Sequence, residues 1–117
     1  MEIKKRQVGD IHILDCSGKI IMGEAITMLR TAVQDIIAAN GKNVILNLAE
    51  IGYADSTGLG ELVVAYLAVH DAGGQLILLN MAKNIEGMLV ITKLRGIFDA
   101  YDDEQTAINS FGSTCRE

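Results

Sequence analysis

Cysteine, basic charge and long apolar runs are all in short supply in this 117-residue chain, and each shortage closes off a class of function. The two cysteines, Cys16 inside an expected strand and Cys115 in a polar tail, provide neither a disulfide framework nor zinc-ligand spacing, so a reducing compartment fits. Lys and Arg number 10 against 15 Asp and Glu, for a formal net charge of −5. Binding to a phosphate backbone needs clustered cations. The one basic run, Lys4-Lys5-Arg6, reads instead as a solvated edge strand. Residues Met1 to Arg6 are charged and carry no apolar leader core, and no apolar stretch approaches the roughly 18 residues of a spanning helix. The expectation is a soluble cytoplasmic protein that engages neither nucleic acid nor membrane. A last scarcity is local: no Lys or Arg occurs between Lys42 and Lys83.

Half of the residues are hydrophobic, enough for one domain with a modest core, taken as residues 1–112 with a short tail at 113–117. Ile3 to Val8 and Ile11 to Cys16 read as antiparallel strands joined at Gly9-Asp10, a link suited to a type II′ turn. Gly18 to Ile21 reads as a turn. Glu24 to Ala39 spaces Ile26, Leu29, Val33 and Ile36 or Ile37 along one helical face and closes on Asn40-Gly41 as a left-handed cap. Val44 to Leu48 is a short continuous apolar run, as expected of a central strand buried on both faces. Ala49 to Ala54 reads as a loop, with Glu50 and Tyr53 as candidate contact residues. A second buried strand runs from Gln75 to Asn80. Asn84 is a candidate cap for a helix bearing Ile85, Met88, Leu89 and Leu94 and ended by Gly96. Ile97 to Tyr101 is expected as a short edge strand, and Asp102 to Phe111 as a last helix with Asp102 and Gln105 spaced as a capping box. Strands alternating with helices give an α/β layer fold with a mixed, mostly parallel sheet of about five strands and about four helices.

The most informative stretch is Asp55-Ser56-Thr57-Gly58-Leu59-Gly60-Glu61-Leu62. Leu59, Leu62, Val63, Tyr66 and Val69 recur at helical spacing, so Ser56 falls at a helix start, where a hydroxyl can cap free backbone N–H groups. Asp55 either caps that helix or orients the Ser56 hydroxyl. Thr57 is a first-turn residue or a secondary acceptor. Gly58 and Gly60 permit close approach by a partner's backbone or close helix–sheet packing. From Leu62 to Val69 no charge appears, so Val64, Leu67 and Ala68 need a cover, either another helix of this chain or a partner protein. A phosphate on Ser56 would add roughly −1.5 to −2 charges beside Asp55 and Glu61, with no cation nearby in sequence. The positive helix end would partly stabilise it, and its main effect would be outward, on a bound partner.

Ala54-Asp55-Ser56-Thr57-Gly58 also has the A-x-S-x-G form of a loosened nucleophile elbow. A hydrolase would need an acid and then a histidine after the serine. The only later histidine is His70, on the same helix and about 21 Å away at 1.5 Å per residue. His12 reads as a packed or edge residue of the second strand. Gly58-x-Gly60-x-x-Val63 matches two positions of a dinucleotide fingerprint, and no acidic residue sits near the end of the next strand. Asp55 and Glu61 lack metal-ligand partners by spacing. The chain is expected to be no enzyme and to hold no cofactor or metal.

Val44 to Leu48, the Asp-Ser-Thr-Gly-Leu-Gly run at Asp55 to Gly60, and Gly73-Gly74-Gln75-Leu76 through Leu79 together resemble the STAS domain of bacterial anti-sigma-factor antagonists. The resemblance extends from about Ile3 to Phe111. Gly18-Lys19-Ile20-Ile21 matches that family's glycine-basic-aliphatic segment, with Ile21 where an aspartate is frequent. Asn80-Met81-Ala82-Lys83 lacks the proline common at that point. The resemblance implies an antiparallel first strand and helices packed mainly against one face of the sheet. It maps a phosphoacceptor onto Ser56 and gathers Gly18, Tyr53, Asp55, Thr57, Gly58, Leu59, Gly60 and Val64 as candidate motif and partner-binding residues. The implied partners are an anti-sigma factor, often itself a serine kinase, and a phosphatase acting on phospho-Ser56. Unphosphorylated chain would sequester the anti-sigma factor and free a sigma factor, and phosphorylation would break the complex. The alternative is a STAS module that recruits a partner within a larger signalling or transport complex without being phosphorylated.

Overall fold

In the computed structural model, which describes residues 1–115, the chain alternates strand and helix. Its elements are β1 (Glu2–Val8), β2 (Ile11–Ile20), α1 (Glu24–Ala38), β3 (Asn43–Ala54), α2 (Ser56–Asp71), β4 (Gln75–Leu79), α3 (Lys83–Ile91), a 3₁₀ turn (Arg95–Ile97), β5 (Asp99–Tyr101) and α4 (Glu104–Cys115). The strands lie side by side in chain order, β1 antiparallel to β2 and every later pair parallel. The expected mixed sheet of five strands with four α-helices is what forms.

Period-two alternation sorts the core into two layers. Leu14, Cys16, Val44, Leu46, Leu48, Leu76 and Leu78 pack with the apolar faces of α1, α2 and α3. Ile11, Ile13, Ile45, Ile77 and Leu79 turn the other way and meet Ala107 and Phe111 of α4. Three helices therefore roof one face and one helix the other. Arg6 fastens α4 to the sheet, pairing with Asp15 of β2 and, at 2.8 Å, with Glu104. Lys4-Lys5-Arg6 does lie on an edge strand, but Arg6 is engaged there and not merely solvated.

The expected turn at Gly18 to Ile21 and loop at Ala49 to Ala54 are corrected by the sheet. β2 continues to Ile20 and β3 to Ala54, because these two segments of weak strand propensity pair with each other. Ser17 faces Glu50, Gly18 faces Ile51, Lys19 faces Tyr53 and Ile20 faces Ala54, with register shifts absorbing the unequal lengths. Gly18 takes φ of 105°, a backbone that L side chains rarely adopt, at one of these shifts.

Helix ends bring further corrections. The Asn40 cap forms as expected, with φ of 66° and the Asn40 and Gly41 N–H groups donating to the carbonyls of Ile37 and Ile36 at 2.9 and 2.8 Å. α3 stops before Gly96, since Lys93 adopts φ of 64° and the same pattern closes there, Leu94 N–H reaching Leu89 O at 2.8 Å. Leu94 thus lies beyond the helix. Asn84 is inside α3 and caps nothing; its amide donates to Gly52 O at 3.2 Å, while Ala82 holds the N-cap position. α4 is capped by Asp103 in place of Asp102, the carboxylate accepting from Thr106 N–H at 2.9 Å. Residues 113–115, expected in a tail, continue α4, and 116–117 lie outside the described residues. Among the described residues no helix is long and apolar enough to cross a membrane.

Candidate functional site

The carboxyl end of β3 carries the chain directly into α2, and Asp55 governs the corner. Its N–H donates to Ile20 O of β2 at 3.2 Å, and its own carbonyl accepts from Leu59 N–H at 2.9 Å. Both carboxylate oxygens are used: Oδ1 accepts from Gly58 N–H at 2.7 Å and Oδ2 from Met22 N–H at 3.0 Å. These donors, the Met22 amide first and then Gly58, hold the Asp55 carboxyl below the usual carboxylate range. Of the two roles open to Asp55, capping is the one its bonds fill. Ser56, whose hydroxyl was a candidate cap, is the first residue of α2 and leaves capping to Asp55.

Ser56 and Thr57 are both exposed, and no hydrogen bond of the Ser56 hydroxyl occurs among the described residues. The two glycines separate in role. A Cβ on Gly58 would sit 1.9 Å from Ile20 O, so Gly58 is what lets the first turn of α2 rest on β2. A Cβ on Gly60 would meet nothing within 4 Å, and that position faces outward. Leu59, grouped with the partner-binding residues from sequence, is 3% exposed and belongs to the core. Gly18 sits in the bulged end of β2, beside Met1, away from the turn expected for it.

Apolar side chains stand on the surface at this end of the molecule. Met22, whose amide is bound by Asp55, is 72% exposed, and Ile21 and Tyr53 are also exposed. On α2, Val64 and Leu67 are 44% and 49% exposed and Ala68 is partly so. Among the described residues no helix covers Val64 and Leu67.

One neighbour of this corner was not legible in the sequence. Glu61 is 3% exposed, and its carboxylate takes both Arg30 Nη2 at 2.7 Å and Arg30 Nε at 3.2 Å from α1. A cation is thus present one helix away although none lies nearby in sequence, and the Glu61 charge is spoken for. The available signal was a lone carboxylate between the core positions Leu59 and Leu62. His70 stacks on Tyr66, one turn earlier, with ring centroids 5.9 Å apart, and His12 lies against Gly41. Neither is placed with Ser56. Cys16 is buried, and burial pushes its thiol up to about 12, which makes it inert as a nucleophile. Among the described residues no group of three or more His, Cys, Asp or Glu side chains gathers as a metal site.

The STAS domain pattern matches residues 2–107, and the chain belongs to that family. Among solved structures, a Thermotoga maritima protein described as a candidate anti-sigma factor antagonist superposes with a TM-score of 0.85 at 23% identity, over 92% of each chain. The Bacillus anti-sigma factor antagonist SpoIIAA, in its unphosphorylated form, gives 0.73 at 18% identity over 94% of this chain and 97% of that one, and the same protein is also known in a phosphorylated form. A sulfate transporter family protein from Wolinella succinogenes gives 0.80 at 18% identity, over 94% and 91%. At such identities these likenesses establish a shared fold.

Proposed function

We propose that the chain is an anti-sigma-factor antagonist working as a phosphorylation-controlled partner switch with no catalysis of its own. In this reading the unphosphorylated form binds an anti-sigma factor that is also a serine kinase, a sigma factor is released, phosphate on Ser56 ends the binding, and a phosphatase restores it. The observation that carries the reading is the Ser56 hydroxyl, exposed on the first turn of a well-seated helix and free of hydrogen bonds to the described residues. The solved phosphorylated form of SpoIIAA, a protein of the same fold, supports it.

The physical consequence of a phosphate at this position is mostly external. The helix end stabilises the added charge by about 0.3 to 1 kcal/mol at a surface, and Asp55 opposes it. A partner seated on Ser56, Gly60, Val64 and Tyr53 would meet charge and bulk where a neutral hydroxyl had been, and would lose contact by desolvation and repulsion.

Incubation with the anti-sigma kinase and ATP, read by intact mass and peptide mapping, tests the reading. One phosphate on Ser56 is expected, none on Ser56→Ala, and loss of the complex with Ser56→Asp. Binding unaltered by Ser56→Asp would favour the alternative, an unphosphorylated STAS scaffold in a signalling or transport complex. The apolar Ile21-Met22 loop beside Asp55 and the likeness to a sulfate transporter family protein speak for that second reading.

A further inference from the structure

We propose that Met22 is an oxidation site, and that hydrogen peroxide, by turning its thioether into a sulfoxide, ends the binding of a protein at the Ser56 corner. The inference rests on the reading above that a partner sits there. Of the five methionines Met22 alone is exposed, while Met1, Met28, Met81 and Met88 are each partly buried. Its exposure is not that of a slack loop. Met22 N–H donates to Asp55 Oδ2 at 3.0 Å, Asp55 N–H donates to Ile20 O at 3.2 Å, and Gly23, at φ of 115°, accepts from Ile26 N–H at 3.2 Å through its carbonyl. The backbone is held on both sides of the thioether, against the residue that precedes Ser56.

The chemistry is a two-electron oxygen transfer. The sulfur lone pair attacks one peroxide oxygen, the S–O bond forms as the O–O bond breaks, and the reduced peroxide leaves as water. Two thiols of a sulfoxide reductase reverse the step, becoming a disulfide as the oxygen departs in water. Oxidation converts a flexible apolar side chain into a polar acceptor. A partner packed over Met22, Ile21 and Tyr53, all exposed and apolar at this end, would then bury an S=O oxygen that its neutral surface leaves without a donor. Asp55 holds Met22 by the main-chain amide, so the sulfoxide leaves the helix cap intact and acts outward.

The full chain is treated with hydrogen peroxide, freed of it, mapped by peptide mass, and mixed with the anti-sigma kinase. One oxygen is expected on Met22, added about tenfold faster than on the other four methionines, with the thermal midpoint unchanged. Affinity for the kinase should fall about tenfold and return after methionine sulfoxide reductase and dithiothreitol. Met22→Leu should bind as before and keep its complex through the peroxide, and Met22→Gln should bind weakly without it. Equal oxidation rates at all five methionines, or a Met22→Leu complex lost to peroxide, would overturn the proposal. An oxidised chain that still binds where Ser56→Asp does not would overturn it and leave the switch standing. Loss on oxidation with Ser56→Asp binding intact would overturn the switch alone, and an untreated chain that forms no complex would overturn both.

Discussion

Asp55 and Met22 are joined across 33 residues of sequence by one hydrogen bond, Met22 N–H to Asp55 Oδ2 at 3.0 Å, while the other carboxylate oxygen caps α2 through Gly58. A single side chain thereby fixes both the start of the helix that bears Ser56 and the β2–α1 loop beside it. Replacing Asp55 with alanine should lower the thermal midpoint by several degrees, whereas asparagine, an equally good cap, should recover most of that loss. Because the donors hold the Asp55 carboxyl low, its contribution is complete above the ordinary carboxylate range and fades as pH falls through the depressed folded value. Thermal unfolding of the two variants at neutral and acid pH checks both statements.

Gly58 and Gly60 should respond in opposite directions to the same substitution. Gly58→Ala forces a methyl against the Ile20 carbonyl and is expected to cost about 1–3 kcal/mol, as overpacking does. Gly60→Ala meets open space on a helix and should stabilise by about 0.5–1 kcal/mol. Urea denaturation separates them, and equal effects would disprove the assignment.

Arg30 and Glu61 form the link between α1 and α2, and the buried partner decides the outcome of breaking it. Arg30→Leu strands a carboxylate in the core and should lower the thermal midpoint by several degrees. Adding Glu61→Leu to that variant should restore stability, since the orphaned charge is then gone. A double-mutant cycle by calorimetry reads the recovery.

The Arg6 bonds are the leading cause of a lowered Asp15 carboxyl, with further help from Asn47. The stabilisation this provides is present in full above about pH 4, the unfolded aspartate value, and is lost as pH falls through the lower folded value. Arg6→Gln should shift the acid unfolding transition to higher pH and, because Glu104 also loses its partner, loosen α4. Amide hydrogen exchange in α4, whose Ala107 and Phe111 pack with Tyr101, gives the α4 signal.

What sequence made legible was whatever the nearest neighbours decide. The Asn40 cap, the apolar runs of β3 and β4 and the helical stripe through Leu59, Leu62 and Val69 are local patterns, and they form where expected. The second halves of β2 and β3 are not legible in sequence because Gly18, Gly52 and Glu50 are poor strand formers alone, and only the pairing of the two segments holds them extended. The Lys93 stop of α3 escaped for a similar reason: a lysine gives no sign that it will take a glycine's backbone angles. Spacing placed Asp55 and Ser56 at the start of α2, but burial alone removes Leu59 from the surface, and packing alone brings Arg30 to Glu61.

The seat of α2 on the Ile20 carbonyl has one more consequence, for how this chain can vary. At 3.6 residues per turn, inserting a single residue between Ala54 and Gly58 would rotate everything downstream by about 100°, swinging Leu62 toward water and Val64 toward the sheet. The seat on Ile20 therefore fixes the length of that corner.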